Sequence, residues 1–122
     1  MPSGLVTIAN YQKIVLACFE KDRLTDAASI AAVAADLDRQ LEMCPVKISL
    51  IIDLSKVTAM SSQMLGKLVA LHKKVKNGKG RMCLTGVCKQ IMPLFEITKL
   101  TKVFEFKPDA QEVILFYQRK PL

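Results

Sequence analysis

The chain has one histidine, His72, and its four cysteines, Cys18, Cys44, Cys83 and Cys88, form no C-x-x-C pair. Zinc sites want Cys and His ligands at closer spacing, so metal catalysis and a histidine-activated nucleophile are both disfavoured. The cysteines read instead as reduced thiols, with Cys18 and Cys83 inside apolar segments where they pack as small hydrophobes. No apolar run approaches the roughly 18–20 residues that cross a bilayer, and the longest, ISLIIDLS, is broken by Asp53. The start, MPSGLVTIANYQK, lacks the basic residues, apolar stretch and small-residue cleavage site of a secretory leader, so a cytoplasmic location is expected. Glycine-rich phosphate loops are missing too. NGKGR follows a predicted helix and precedes a predicted strand, the reverse of the order that offers helix N–H groups to phosphate. These absences leave no metal and no cofactor to expect, and no enzyme.

What is present is a core. Of the 122 residues, 51% are hydrophobic, enough for one domain over 1–122 that buries roughly two thirds of its unfolded surface. The net charge of +7 is uneven: residues 1–60 hold six Lys/Arg against seven Asp/Glu, and residues 61–122 hold twelve against four. The basic half favours an acidic protein face, an anionic headgroup or nucleic acid. Its cluster Lys67, Lys73, Lys74, Lys76, Lys79 and Arg81 has few aromatics between the cations. That is the pattern of a solvated helix face rather than a nucleic-acid site, so direct DNA binding is not expected.

Periodicity gives the order β-β-α-β-α-β-α-β-α. LVTIA (5–9) and KIVLACF (13–19) read as strands joined by a turn. A helix over about 27–42 carries Ile30, Val33, Leu37 and Leu41 at helical spacing, with Asp36, Arg39, Gln40 and Glu42 on its other face. Thr25 or Asp26 caps it and Pro45 ends it. KISLIIDLS (47–55) is a strand buried on both faces, with Ile48, Leu50, Ile52 and Leu54 on one side and Ile51 on the other. Ser61 or Ser62 then caps a second helix to about Lys76, with Met64, Leu65, Leu68, Leu71 and Val75 as its core stripe. A strand over 81–87, a short helix over about 91–99, a last strand or extended segment over 102–106 and a helix with Pro108 in its first turn complete the chain. Strands alternating with helices argue a largely parallel sheet. Asp53 and Asp26 fall at strand-end and helix-start positions where hydrogen-bonding roles suffice, and His72 reads as a boundary residue.

The adjacent serines are the unusual feature. One hydroxyl suffices as a cap, and a phosphate is also favoured where unpaired N–H groups and the helix dipole meet.

The ordered run IIDLSKVTAMSSQMLGKLVALHKKVKNGKGRMCLTGVCKQIMPLFEITKL resembles the STAS domain, the sulfate-transporter and anti-sigma-factor-antagonist family, and RLTDAASI places Asp26 on the family's Asp before the first long helix. The resemblance implies an α/β, STAS-like fold: a small mixed, mostly parallel sheet with helices packed on it. It implies a phosphoswitch at Ser62, the position matching the family's switch serine. On that reading the unphosphorylated form binds an anti-sigma factor that is itself a serine kinase, carries the ATP, and releases its sigma factor on binding. The implied partner surface comprises Asp26, Ser61, Ser62, Gln63, Met64 and Lys67. Ser61 stands where the family usually has Asp, and Gln63 and Met64 replace smaller residues. Two other readings are a STAS subunit of a membrane-associated lipid-transport complex and a basic nucleotide- or nucleic-acid-binding module.

Overall fold

The computed structural model describes residues 4–43 and 46–122. Its element order is β1 (Val6–Tyr11), β2 (Ile14–Phe19), β3 (Arg23–Leu24), α1 (Ala27–Met43), β4 (Ser49–Asp53), β5 (Ala59–Met60), α2 (Ser62–Asn77), β6 (Arg81–Thr85), α3 (Met92–Ile97), β7 (Glu105–Lys107) and α4 (Ala110–Arg119). Five strands form a sheet in the order β1-β2-β4-β6-β7, antiparallel only at the β1–β2 hairpin. The fold is thus α/β with a mixed, mostly parallel sheet.

β4 explains the layering. Its side chains alternate, as a strand requires, and both faces are covered. Ile48, Leu50, Ile52 and Leu54 enter the larger core with the stripes of α1 and α2, while Ile51 joins Ile14, Leu16 and Cys83 beneath Val113, Ile114 and Tyr117 of α4. α1 and α2 present the expected stripes, Ile30, Val33, Leu37 and Leu41 against Met64, Leu65, Leu68, Leu71 and Val75. Burying each such side chain is worth about 1.5–3 kcal/mol, so the two helices are held by packing. Gly80 permits the tight return into β6, because a Cβ there would sit 2.4 Å from the Ile48 carbonyl oxygen.

Several details differ from expectation. Asp36 lies not on a solvated face of α1 but buried, with Arg39 Nη1 at 3.2 Å from its Oδ1. The last strand is Glu105–Lys107 rather than 102–106, because Leu100–Lys102 forms a 3-10 turn and Phe104 turns into the core against Phe95 and Phe106. β6 ends at Thr85, where Gly86 takes φ +67°. α4 begins at Ala110 with Asp109 as cap, leaving Pro108 ahead of the helix. His72 is half-buried and packs edge-on against Phe104 at 5.3 Å, as a boundary residue should. Cys44 and the α1 stop at Pro45 lie outside the described residues.

The two-residue strands β3 and β5 have no counterpart in the expected order. They pair in parallel, Arg23 with Ala59 and Leu24 with Met60. This ribbon ties the chain before α1 to the chain before α2, and it positions the site.

Candidate functional site: the paired starts of two helices

The segment leading from β4 to α2 is clamped at each step. At the end of β4, Asp53 Oδ1 accepts from the Ser55 N–H (3.1 Å) and Thr85 Oγ1 (3.4 Å), and its Oδ2 accepts from Ser55 Oγ (3.2 Å). Gly86 closes over this knot: its positive φ favours glycine, and a Cβ would lie 2.8 Å from Ser55 Cβ. Lys56 pairs with Glu20 across the loop. The Thr58 and Ala59 N–H groups both donate to the Asp22 carbonyl, at 2.8 and 3.2 Å, and the Ser61 N–H donates to the Leu24 carbonyl at 3.0 Å. Asp53 is therefore a structural knot, in keeping with its hydrogen-bonding role.

The consequence is that the N-termini of α1 and α2 emerge side by side. At α1, Asp26 is the cap: its Oδ2 accepts from the Ser29 N–H at 2.9 Å, and Lys21 Nζ sits 3.1 Å from its Oδ1 and 2.6 Å from Ser29 Oγ. The Ser29 hydrogen bonds, and then Lys21, lower the Asp26 pKa to about 2. Sequence reasoning missed Lys21, which lies between the predicted strand over 13–19 and the predicted helix over 27–42; the two-residue strand that follows it is too short to betray itself by alternation.

At α2 the two serines separate. Ser61 is the cap, extended at φ −85° and ψ 164°, and its Oγ accepts from the Met64 N–H at 3.3 Å. Ser62 is the first helical residue, and its side chain is exposed. The first N–H groups of a helix have no acceptor within it. The first turn of α2 carries no acidic residue against the positive end of the dipole, whereas Lys74 and Lys76 occupy its last turn. The exposed start of α2 is thus open to added negative charge.

The other expected contact residues divide. Gln63 and Lys67 are exposed. Met64 is 0% exposed and belongs to the core, so it is removed from the contact surface; it can only support the helix from beneath. Lys67 borders a shallow groove between α1 and α2 with Ala34, Asp38 and Lys74. Lys74 is not free: its Nζ lies 3.0 Å from Asp38 Oδ1 on α1. Arg81, read as part of the same cluster, sits at the far end of α2 near Tyr117. No hydrogen bond joins Asp26 to Ser62 among the described residues, and no group of three or more His, Cys, Asp or Glu is placed to hold a metal.

The STAS domain family's sequence profile matches residues 8–113. The chain belongs to the STAS domain family. Its similarity extends to an anti-sigma-B factor antagonist of Listeria monocytogenes, 34% identical over 96 residues, covering 71% of this chain and 84% of the relative. Among solved structures, a STAS domain protein from Planctomyces limnophilus described as an anti-sigma-factor antagonist superposes with a TM-score of 0.78 at 19% identity, covering 90% of this STAS chain and 94% of its own. The phosphorylated form of SpoIIAA, a Bacillus cell fate determinant, superposes at 0.69 with 14% identity, covering 89% and 96%. At such identities the two structures speak for the fold. STAS proteins of the anti-sigma-factor-antagonist kind are regulatory proteins and not enzymes.

Proposed function

We propose that this STAS domain is an anti-sigma-factor antagonist: it binds an anti-sigma factor through the face formed by the starts of α1 and α2, and phosphorylation of Ser62 turns that binding off. The role is carried over from the Listeria relative at 34% identity. The observation that carries the switch is the division of labour between the serines, one hydroxyl engaged as a cap and the next exposed at the first helical position. The partner would be an anti-sigma factor that is itself a serine kinase and brings the ATP. The complex would form in the cytoplasm; among the described residues no helix is long and apolar enough to cross a membrane. Asp26, Ser61, Gln63 and Lys67 would complete the contact face.

The physics of the switch is desolvation. A phosphate at Ser62 adds about −1.5 to −2 charges, and the open helix start tolerates it in water. Pressed against a partner with no cation opposite, the same charge costs several kcal/mol. A micromolar complex holds only about 8 kcal/mol, and each 1.4 kcal/mol is tenfold in affinity, so the loss is large enough to release the partner.

The test is mass spectrometry of the protein incubated with its anti-sigma factor and ATP, together with pull-downs. Phosphate is expected on Ser62; Ser62→Asp should keep its fold and lose the partner, and Ser62→Ala should bind irrespective of ATP. Phosphate on Ser61 alone, or undiminished binding by Ser62→Asp, would remove the switch.

A further inference from the structure

At the opposite edge of the sheet, the turns that feed β2, β4 and β6 gather Lys13, Lys47 and Arg81. The backbone fixes this convergence. The Ser49 N–H donates to the Lys13 carbonyl (2.8 Å), the Lys47 N–H to the Gly78 carbonyl (2.7 Å), and the Arg81 N–H to the Ile48 carbonyl (2.9 Å). Strand register places Ile14, Ser49 and Arg81 in one row. With Tyr11 and Tyr117 these residues line a cleft of about 640 Å³, within the usual size range of small-molecule sites.

Among the described residues no ion pair offsets the charge in this cleft. No Asp or Glu side chain lines it. Lys21, Arg39, Lys56 and Lys74 elsewhere each have a carboxylate partner, but among the described residues Lys13, Lys47 and Arg81 have none. Arg81 is nevertheless held in place. Its Nε donates to Ser49 Oγ at 2.8 Å, a terminal nitrogen reaches the Tyr117 carbonyl at 3.4 Å, and its Cζ lies 3.8 Å from the Tyr117 ring centroid. Ser49 and Tyr117 are themselves 3% and 2% exposed, so the guanidinium rests on rigid supports. A planar, pre-oriented fork with spare donors beside two free ammonium groups matches a phosphate better than a single-charge carboxylate. Beside the cations, the half-exposed Tyr11 ring and Ile14 offer an apolar wall.

We propose that this cleft binds a phosphate ester, its phosphate on Lys13, Lys47 and Arg81 and its esterified body against Tyr11. The ester is either a soluble molecule or a phospholipid headgroup, which present the same chemistry. The site is independent of Ser62, which lies at the other end of α2, about 24 Å away along 16 helical residues.

Two measurements on the unphosphorylated full chain test it. In the first, amide shifts are followed by NMR during titration with phenyl phosphate, with benzoate at matched ionic strength as the control. Saturable shifts are expected at residues 12–14, 47–49 and 81, with benzoate at least fivefold weaker. The double variant Lys13→Gln/Lys47→Gln changes only exposed, unpaired side chains, so it keeps the fold, and it should bind at least tenfold more weakly. Arg81→Lys, which keeps the charge and loses the fork, should be several-fold weaker. In the second, sedimentation with phosphatidylglycerol-containing vesicles asks for the source. Sedimentation that the double variant loses assigns a lipid headgroup, and phenyl phosphate binding without sedimentation assigns a soluble ester. Binding of neither probe, equal binding of benzoate, or undiminished binding by the double variant overturns the proposal.

Discussion

Replacing each serine of the pair by alanine should give unequal outcomes, although the two are neighbours. Ser61→Ala removes the oxygen that accepts the Met64 N–H, leaving that donor without its cap. Losing such a cap costs about 0.5–2 kcal/mol. The bond is 3.3 Å, just longer than the usual range, so about 1 kcal/mol is the fitting value. Unfolding entropy near 2.1 cal/mol/K per residue gives about 0.26 kcal/mol/K for a chain of this length, so Ser61→Ala should lower Tm by about 4 °C. Ser62 caps nothing, and alanine is the better helix former, so Ser62→Ala should stay within about 0.5 kcal/mol, or about 2 °C in either direction. Scanning calorimetry measures both, and urea midpoints check them at constant temperature. Equal losses, or a larger loss at Ser62, would refute the assignment of cap and free hydroxyl.

The core placement and the acid response give two further expectations. Ile52 is 0% exposed and lies between Ala17 and Leu84 in register, so Ile52→Asp should abolish cooperative folding, its unpaired carboxylate costing several of the roughly 5–15 kcal/mol available; a soluble variant with a cooperative melt would contradict this. Asp26 has its pKa lowered to about 2, so its contribution is intact above the unfolded value of about 3.9 and is lost as pH falls from there toward 2. Between pH 4 and 2, Asp26→Asn should therefore lose less stability than the wild type in acid titrations monitored by circular dichroism, and parallel curves would count against the Lys21–Asp26–Ser29 network.

Long, strongly patterned elements are legible in the sequence. The alternation of Ile48, Leu50, Ile52 and Leu54 against Ile51, and the stripes of α1 and α2, follow from periods of 2 and 3.6 over five residues or more. What escapes is built from pieces too short to carry a period, or from contacts between distant segments. β3 and β5 have two residues each, and their pairing is visible only once α1 and α2 are packed together. Asp36 resembles any polar residue on an amphipathic helix; its burial follows from the packing of α1 and not from its spacing. Met64 belongs to both the core stripe and the expected contact face, and the two roles conflict because its side chain has one direction. Helix geometry resolves the conflict toward the core, where it lies one turn before Leu68.

The cluster of basic residues shows why charge in a sequence does not translate directly into a surface. Lys67, Lys73, Lys74, Lys76, Lys79 and Arg81 look continuous along the chain, yet a helix turns through a full circle every 3.6 residues and spans its domain from end to end. Lys74 is drawn to Asp38 on α1, and Arg81 passes beyond the helix to the opposite edge of the sheet. There it meets Lys13 and Lys47, residues from the acidic half that no linear reading would group with it. Parallel strands cause this: β2, β4 and β6 all start at the same edge, so the residues at their starts share one neighbourhood whether the chain arrives through the β1–β2 hairpin or through a helical crossover. The same rule places the strand-end segments at the other edge, where β4 leads through β5 into Ser61 and Ser62. A hydroxyl at that edge cannot both hold the helix start and be freely modified, since the cap oxygen is committed to the Met64 N–H. On the proposed switch, two consecutive serines would separate the tasks, since the cap bond is made by Ser61 and leaves the Ser62 hydroxyl out of it.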